Sequence, residues 1–343
     1  MSARRLGFLS FGHHQNTPGA SARTAGDALR QGIEIAVGAE ELGLDGAWSR
    51  VHHLQRQFSS PWSLLAAIAA RTSRIEIGTA VIDMRYENPL LMAELAASAD
   101  LISNSRLQLG LSRGSQEPAR RGYERFGFHP REGENAADMA REHTEAFRAA
   151  IVGASVAETD PGETGVSLPL SVEPHSPTLG ERIWWGSATR HSAQWAGEQD
   201  LNLLSSTLLS EDTGIPFSEL QAEQIRGFHA ARSAAGYTGN RRVAVVRSIL
   251  PIVSQRDSEL YGAAANASRE QVGVLGGAIS RFGKSFIGAP DRIIEELTRD
   301  AAVMSADTLL VAIPNILGVD HNLRLLETIR DHIVPAIGWE RDA

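Results

Sequence analysis

A run of apolar residues followed by a segment of helical periodicity recurs eight times along this chain. The first four such pairs pass in about 110 residues with no hairpin signal between them. That is the rhythm of parallel βαβ units, in which each strand is returned to the same end of the sheet by a helix. The strand-like runs fall at residues 6–11, 45–51, 74–81, 106–112, 182–186, 200–205, 242–253 and 307–314. A doubly wound sheet and a closed barrel share this rhythm. Eight strand–helix pairs over 343 residues is the count of an α/β protein of the (β/α)8 TIM-barrel class with insertions. A doubly wound sheet also shows a glycine-rich phosphate turn after its first strand. Here that turn is Gly12-His13-His14-Gln15-Asn16, and no G-x-G-x-x-G occurs anywhere, which argues against a Rossmann-type nicotinamide or FAD site. No compositional break marks a second domain, so residues 1–343 are expected to form one barrel domain. Three stretches interrupt the rhythm: a loop over 114–133, a surface excursion over 153–180, and a glycine-bearing stretch over 257–282 expected to be helical or mixed.

Composition narrows the function. A net charge of −8 argues against a general nucleic-acid binder, since a phosphate backbone needs a basic face. No apolar run approaches 18 residues, so no membrane span is expected. The opening Met1-Ser2-Ala3-Arg4-Arg5 leads straight into a strand and not into a signal sequence, and there is no cysteine, so a cytoplasmic protein without disulfides, thiolate metal sites or thiol nucleophiles is expected. Lys284 is the single lysine among 33 basic residues. An arginine in this chain is therefore not by itself a sign that a guanidinium was needed.

In a barrel of this class the C-terminal ends of the strands form the mouth where chemistry happens, and five of those ends carry polar or small residues. The fourth strand ends in Gly110-Leu111-Ser112-Arg113-Gly114, which delivers a cation that is either solvated or fixed for an anion. The fifth ends in Gly186-Ser187-Ala188-Thr189-Arg190, either a plain helix cap or an anion site made of amides and hydroxyls at a helix start. Gly78-Thr79-Ala80 offers small residues against which a flat ligand can lie, although barrel taper favours small residues too. Two pairs, His13-His14 and His52-His53, close the first and second strands. Side chains alternate along a strand, so at most one ring of each pair should face the mouth, as an acid–base group or as a residue of a polar loop. That spacing argues against a metal-dependent hydrolase, which wants His-x-His, and no metal site is expected. Trp184 and Trp185 should likewise point to opposite sides. Gly283-Lys284-Ser285 ends like a P-loop, but the first glycine position of that motif is Ala278.

In order and spacing, several of these motifs resemble the bacterial luciferase-like family of flavin-dependent monooxygenases. The likeness rests on residues 39–46 (Ala-Glu-Glu-Leu-Gly-Leu-Asp-Gly), Val51-His52-His53, Ile77-Gly78-Thr79-Ala80-Val81, Asn88-Pro89-Leu90, the two strand ends at 110–114 and 186–190, and Ile287-Gly288-Ala289-Pro290-Asp291 before a late helix. The resemblance implies a (β/α)8 barrel with an insertion, a homodimer, and FMN as cofactor. It implies that Arg113 with Ser187, Ala188 and Thr189 holds the phosphate, and that Ser112 and Gly186 also bind the cofactor. The backbone of Thr79, Ala80 and Val81 would lie against the isoalloxazine, with Ala80–Val81 as a candidate cis peptide. His52 falls on the family's catalytic histidine. The family often has Glu-His-His there and this chain has Val51 in place of the glutamate; Ser112 stands where some luciferases carry a reactive cysteine. The implied activity is a two-component monooxygenase, in which reduced FMN arrives from a separate flavin reductase, O2 adds to it as a flavin hydroperoxide, and a small organic substrate is oxygenated. Loops 114–133 and 205–216 would be lids. Deazaflavin-dependent hydride transfer on the same scaffold, and flavin binding without turnover, are the alternatives.

Overall fold

The computed structural model describes residues 4–114, 119–211, 213–265, 267–275 and 278–339. Eight strands close into a barrel: β1 Arg5–Ser10, β2 Gly46–Ser49, β3 Glu76–Asp83, β4 Leu107–Ser112, β5 Ile183–Ser187, β6 Asn202–Ser205, β7 Val243–Arg247 and β8 Thr308–Ala312. Each strand pairs in parallel with its sequence neighbours, and β1 closes on β8 with Arg5 opposite Thr308. The eight expected strands are the eight of the barrel. No helix among the described residues is long and apolar enough to cross a membrane.

The helices begin where local chemistry dictates. Thr24 and Asp27 form a reciprocal capping box at the start of α1 (Ala25–Glu41), and Gly43 leaves it with a φ of 76°. Pro61 and Pro89 occupy the first turns of α2 (Pro61–Arg71) and α3 (Pro89–Ile102), where a missing N–H costs nothing. Asn135 caps α4 (Ala136–Ile151), and Thr189 caps α5 (Arg190–Glu198), which packs on α6 (Phe217–Ala234).

Alternation along the strands builds two cores. Outward residues such as Phe8, Ala47, Ile77, Leu109, Leu111, Trp185 and Val245 pack beneath the helices. Inward residues Leu9, Trp48, Ala80, Trp184, Leu204, Ala244, Val246 and Leu310 fill the lumen, with Phe11, Val81 and Ala312 above them. Of the tryptophan pair, Trp184 therefore faces inward, edge-on to Trp48 at 5.2 Å, and Trp185 faces the helices against Trp195.

The lumen has a polar floor. Glu76 pairs with Arg242 at 2.8 Å and Arg5 at 3.3 Å, Gln108 donates to Glu76, and Trp184 Nε1 donates to Gln108 at 2.8 Å. On the outer side, Asp100 at the end of α3 is fully buried. It accepts two hydrogen bonds from Arg182 at 2.6 and 2.9 Å, one from Ser176 at 2.5 Å and one from the Leu107 amide at 3.2 Å. One carboxylate thus ties α3, the start of β4 and the approach to β5 together.

The structure departs from the sequence expectation in the insertions. The seventh apolar run, expected as one strand over 242–253, is two: β7 ends at Arg247, and Ile249–Pro251 leaves the barrel to pair with Phe286–Gly288. Residues 257–282 are helix only in their first part, Gln255–Ala265; an antiparallel hairpin follows, Gln271–Leu275 with Ala278–Phe282, and the latter strand also pairs with Leu208–Leu209. The 153–180 excursion holds an exposed two-stranded hairpin, Ser155–Glu158 with Pro169–Ser171. Of the two expected lids, 205–216 is anchored by Leu208–Leu209, with residue 212 outside the described residues. Loop 114–133 contains the turn Gly122–Phe126, and its residues 115–118 also lie outside them.

Candidate active site

The mouth of the barrel collects most of the residues singled out from the sequence. The peptide bond between Ala80 and Val81 is cis, as the resemblance implied. It lies where the pairing of β3 with β4 slips between Thr79 and Ile82. The Thr79 hydroxyl bridges that irregularity: it donates to the Gly110 carbonyl at 3.0 Å and accepts from the Gly110 amide at 3.1 Å. Its side chain is spent on the fold, so only backbone is left to meet a ligand. Val81 lies over the neighbouring strands because they carry no side chain there. A Cβ on Gly110 would stand 2.1 Å from the Thr79 carbonyl oxygen, and one on Gly186 would stand 2.9 Å from Val81 Cγ1.

The β4 and β5 ends meet as expected. Leu111 is opposite Trp185, so Arg113 and Ser187 stand two residues further along neighbouring strands. The Ser112 hydroxyl accepts from the Gly114 amide at 3.2 Å. The Ser187 hydroxyl donates to the Thr189 carbonyl at 2.9 Å, and the Thr189 hydroxyl accepts from the Ser192 amide at 3.1 Å as the cap of α5. Ala188 is half-buried between them, and its carbonyl accepts from Ser210 at 3.0 Å. Sequence reasoning missed a carboxylate here. Glu211 accepts from the Arg190 amide at 3.1 Å, so an acid already sits at the start of α5. A contact across 21 residues between two loops leaves no local signal.

His52 and His53 diverge. His53 stacks on Tyr86 at 4.3 Å, with Phe126 edge-on at 5.2 Å, inside an aromatic cluster. His52 turns to Arg50, whose Nη2 lies 2.7 Å from its Nε2, and to the side-chain amide of Gln55, 2.9 Å from its Nδ1. Arginine can only donate, so Nε2 accepts from Arg50, and the Gln55 amide nitrogen, whose own carbonyl accepts from Gln57, likewise presents a donor to Nδ1. Burial first, and the Arg50 charge second, pull the His52 pKa down from 6.5 to about 4, against a smaller upward pull from Asp83. Val51, in the place of the family's glutamate, is buried among the outer core residues. The histidine that the resemblance marks as catalytic thus has a guanidinium against it and no carboxylate from the preceding residue. At the end of β1, His13 stacks on Phe11 at 5.4 Å, while the His14 amide donates to the Arg56 carbonyl.

Two further groups escaped the sequence reading. Glu87 follows β3, and burial, then Asp83, push its carboxyl up to about 7. Arg50 is the other; it stands two residues beyond the lumen-facing Trp48, an alternation that would have identified it as inward-facing. The P-loop-like Lys284 is held by Glu296 at 2.7 Å and covers the Phe286 ring.

Comparison with known proteins bears on the family and on the fold. The sequence profile of the luciferase-like monooxygenase family matches residues 4–299. An F420-dependent glucose-6-phosphate dehydrogenase of Amycolatopsis mediterranei (strain U-32) is 40% identical over 88 residues, 24% of this chain and 26% of that protein. A 4-hydroxyprotoasukamycin monooxygenase of Streptomyces nodosus subsp. asukaensis is 30% identical over 109 residues, 31% of this chain and 29% of that protein. The chain thus spans under a third of the length of these curated relatives. Among solved structures, the oxygenating constituent of 3,6-diketocamphane monooxygenase from the CAM plasmid of Pseudomonas putida, in complex with FMN, superimposes with a TM-score of 0.70. That match is at 17% identity and covers 97% of this chain and 98% of that one.

Proposed function

The chain belongs to the luciferase-like monooxygenase family, and from that premise we propose that it is the oxygenase component of a two-component FMN-dependent monooxygenase acting on a small organic substrate. A family that binds flavins includes FMN-containing oxygenases and enzymes that use a deazaflavin, so the choice between the two rests on this chain's own residues and on experiment. The observation that carries the reading is Arg113. Burial lowers its pKa, Arg141 lowers it further and Asp138 opposes this, and it has no hydrogen bond or ion pair among the described residues. A half-buried guanidinium without an acceptor, beside the Ser187–Thr189 turn, fits a phosphate. On this reading Arg113, Ser112, Gly186, Ser187, Ala188 and Thr189 hold the phosphate, and the backbone of Thr79, Ala80 and Val81 supports the flavin ring.

When bound, reduced FMN supplies the electrons that activate O2, and a separate reductase delivers it. The chain's own part is to orient, to exclude water and to manage protons. Phe11, Val81 and Ala312 form a dry shelf above the lumen. Neutral His52 is the group placed to exchange a proton, once its Nε2 is released from Arg50. We place this barrel, as a single domain over residues 1–343, in the cytoplasm as a homodimer.

The reading is tested by titrating the protein with FMN and with the deazaflavin cofactor, followed by flavin fluorescence. FMN should bind and the deazaflavin should bind more weakly; the reverse order assigns the chain to hydride transfer, as in its dehydrogenase relative. Arg113→Ala should weaken FMN binding by about 1.5–3 kcal/mol, the range for a hydrogen bond to a charged group, and an unchanged affinity would return Arg113 to the solvent. Glu211→Gln should have the opposite sign. Removing a carboxylate from the start of α5 should tighten FMN by about 0.3–1 kcal/mol at low salt and by less at high salt, read from the same titration.

A further inference from the structure

Half-buried and buried arginines in this protein are almost all satisfied by acceptors. Arg106 donates to four backbone carbonyls, those of Ala69, Thr72, Ile75 and Ser103. Arg182, Arg232, Arg241, Arg242 and Arg247 each hold a carboxylate within 2.9 Å. Among the half-buried and buried arginines of the described residues only two have neither a carboxylate nor a carbonyl as partner, Arg113 and Arg50, and both stand at the mouth of the barrel. Because arginine is the chain's default cation, the guanidinium itself says little; its isolation is the signal. A buried cation without an anion is costly and persists where a ligand supplies the charge.

Arg50 has three described surroundings. Its Nη2 meets His52 Nε2 at 2.7 Å, its guanidinium carbon lies 4.9 Å from the centre of the Phe11 ring, and burial lowers its pKa. Its remaining N–H donors have no hydrogen-bond acceptor among the described residues. Arg50 is also not part of the phosphate cradle. It follows β2, whereas Arg113 follows β4 and Ser187 ends β5, so one strand separates Arg50 from Arg113 around the barrel and two separate it from Ser187. The shelf of Phe11 and Val81 lies at the mouth between the two sides.

We propose that Arg50 is the recognition group for a carboxylate on the organic substrate, which it would hold beside His52 on the shelf of Phe11. The planar fork matches a carboxylate with two parallel hydrogen bonds. The inference rests on the proposed function for the word substrate, but the anion site itself does not need the flavin. It also gives His52 its release. A carboxylate drawn onto Arg50 competes for the donor that occupies Nε2 and offsets the charge that faces the ring. The other charged groups felt by His52 are Asp83, His53 and His13, and His13 feels the Arg50 charge in the same direction.

The test uses benzoate and its neutral counterpart benzamide as probes, on the flavin-free protein by tryptophan fluorescence and on the FMN-loaded protein by the flavin absorbance. Benzoate should bind about tenfold or more tighter than benzamide to the native chain. In Arg50→Met that preference should fall to about twofold or less, and Arg50→Lys should restore part of it, which separates lost charge from lost folding. A second readout is independent of both optical signals and of turnover: benzoate should raise the pH at which the His52 ring protonates, followed by NMR, in the native chain and not in Arg50→Met. Equal binding of the two probes, or a preference that survives in Arg50→Met, overturns the proposal. So does an Arg50→Met variant that loses FMN affinity together with the preference, which would assign Arg50 to the flavin ring. Should the native chain bind no flavin at all, the functional reading falls while the benzoate arm on the flavin-free protein is still decided.

Discussion

His52→Ala should lower kcat by about a hundredfold to ten-thousandfold with the natural substrate, the contribution of one positioned proton-transfer group, while FMN affinity is unchanged. The ring sits at the mouth with Arg50 on one nitrogen and the Gln55 amide on the other, so its removal takes away a proton acceptor and leaves the phosphate end untouched. Stopped-flow measurement with pre-reduced flavin separates the two. A variant with full activity on every substrate tried would remove His52 from the mechanism. The pH profile carries a second check. The folded ring protonates near pH 4 and the unfolded one near 6.5, so an acidic limb of kcat/KM, which reports the substrate-free enzyme, should lie close to 4 where it depends on His52. The same shift has a thermodynamic sign. The unfolded chain takes up this proton first as pH falls, so His52 withdraws stability as pH drops from about 6.5 toward 4. Glu87 acts oppositely: its folded form keeps a proton up to about 7 where the free carboxyl loses it near 4.5, so stability falls as pH rises through that interval.

The largest effect on stability is expected at Asp100→Ala. Removing one partner of a buried ion pair costs about 3–5 kcal/mol, because the other is left without its counter-charge. Here the loss would strand Arg182, and with it the Ser176 hydroxyl and the Leu107 amide. Chemical denaturation followed by far-UV circular dichroism should show the lower midpoint. A loss below about 1 kcal/mol, the worth of an exposed pair, would mean that the cluster is hydrated and not a clamp.

The barrel was legible because parallel strands covered on both faces read as unbroken apolar runs, and because prolines and capping residues sit at the helix starts. The same continuity hid the end of β7. The run Val243–Arg247 continues into Ile249–Pro251 with no change in composition, and what divides them is pairing with Phe286–Gly288, which no local pattern reports. The hairpin of Gln271–Leu275 and Ala278–Phe282 was illegible for another reason. Val272, Val274 and Ile279 are exposed there, so apolar alternation did not mark a buried face. In the candidate site, what strand position alone decides could be read: that Arg113, the Gly186–Thr189 turn and His52 stand at the strand ends. Glu211 reaches Arg190 through a contact between loops, which spacing does not encode, and Gln55 meets His52 within one irregular loop that has no period to read. Arg50 lay on a readable face, but in a chain that uses arginine almost everywhere its isolation could be seen only once every other guanidinium had been given its partner.

The ion-paired floor of the lumen has a kinetic consequence. With Glu76, Arg5, Arg242 and Gln108 joined across the N-terminal ends of the strands below Trp184, no ligand should pass through the barrel, and two ligands that share its mouth must queue. Whichever reaches deeper has to arrive first and depart last. Turnover should therefore show a compulsory order of addition, and the shallower ligand, held at saturation, should slow the escape of the one beneath it.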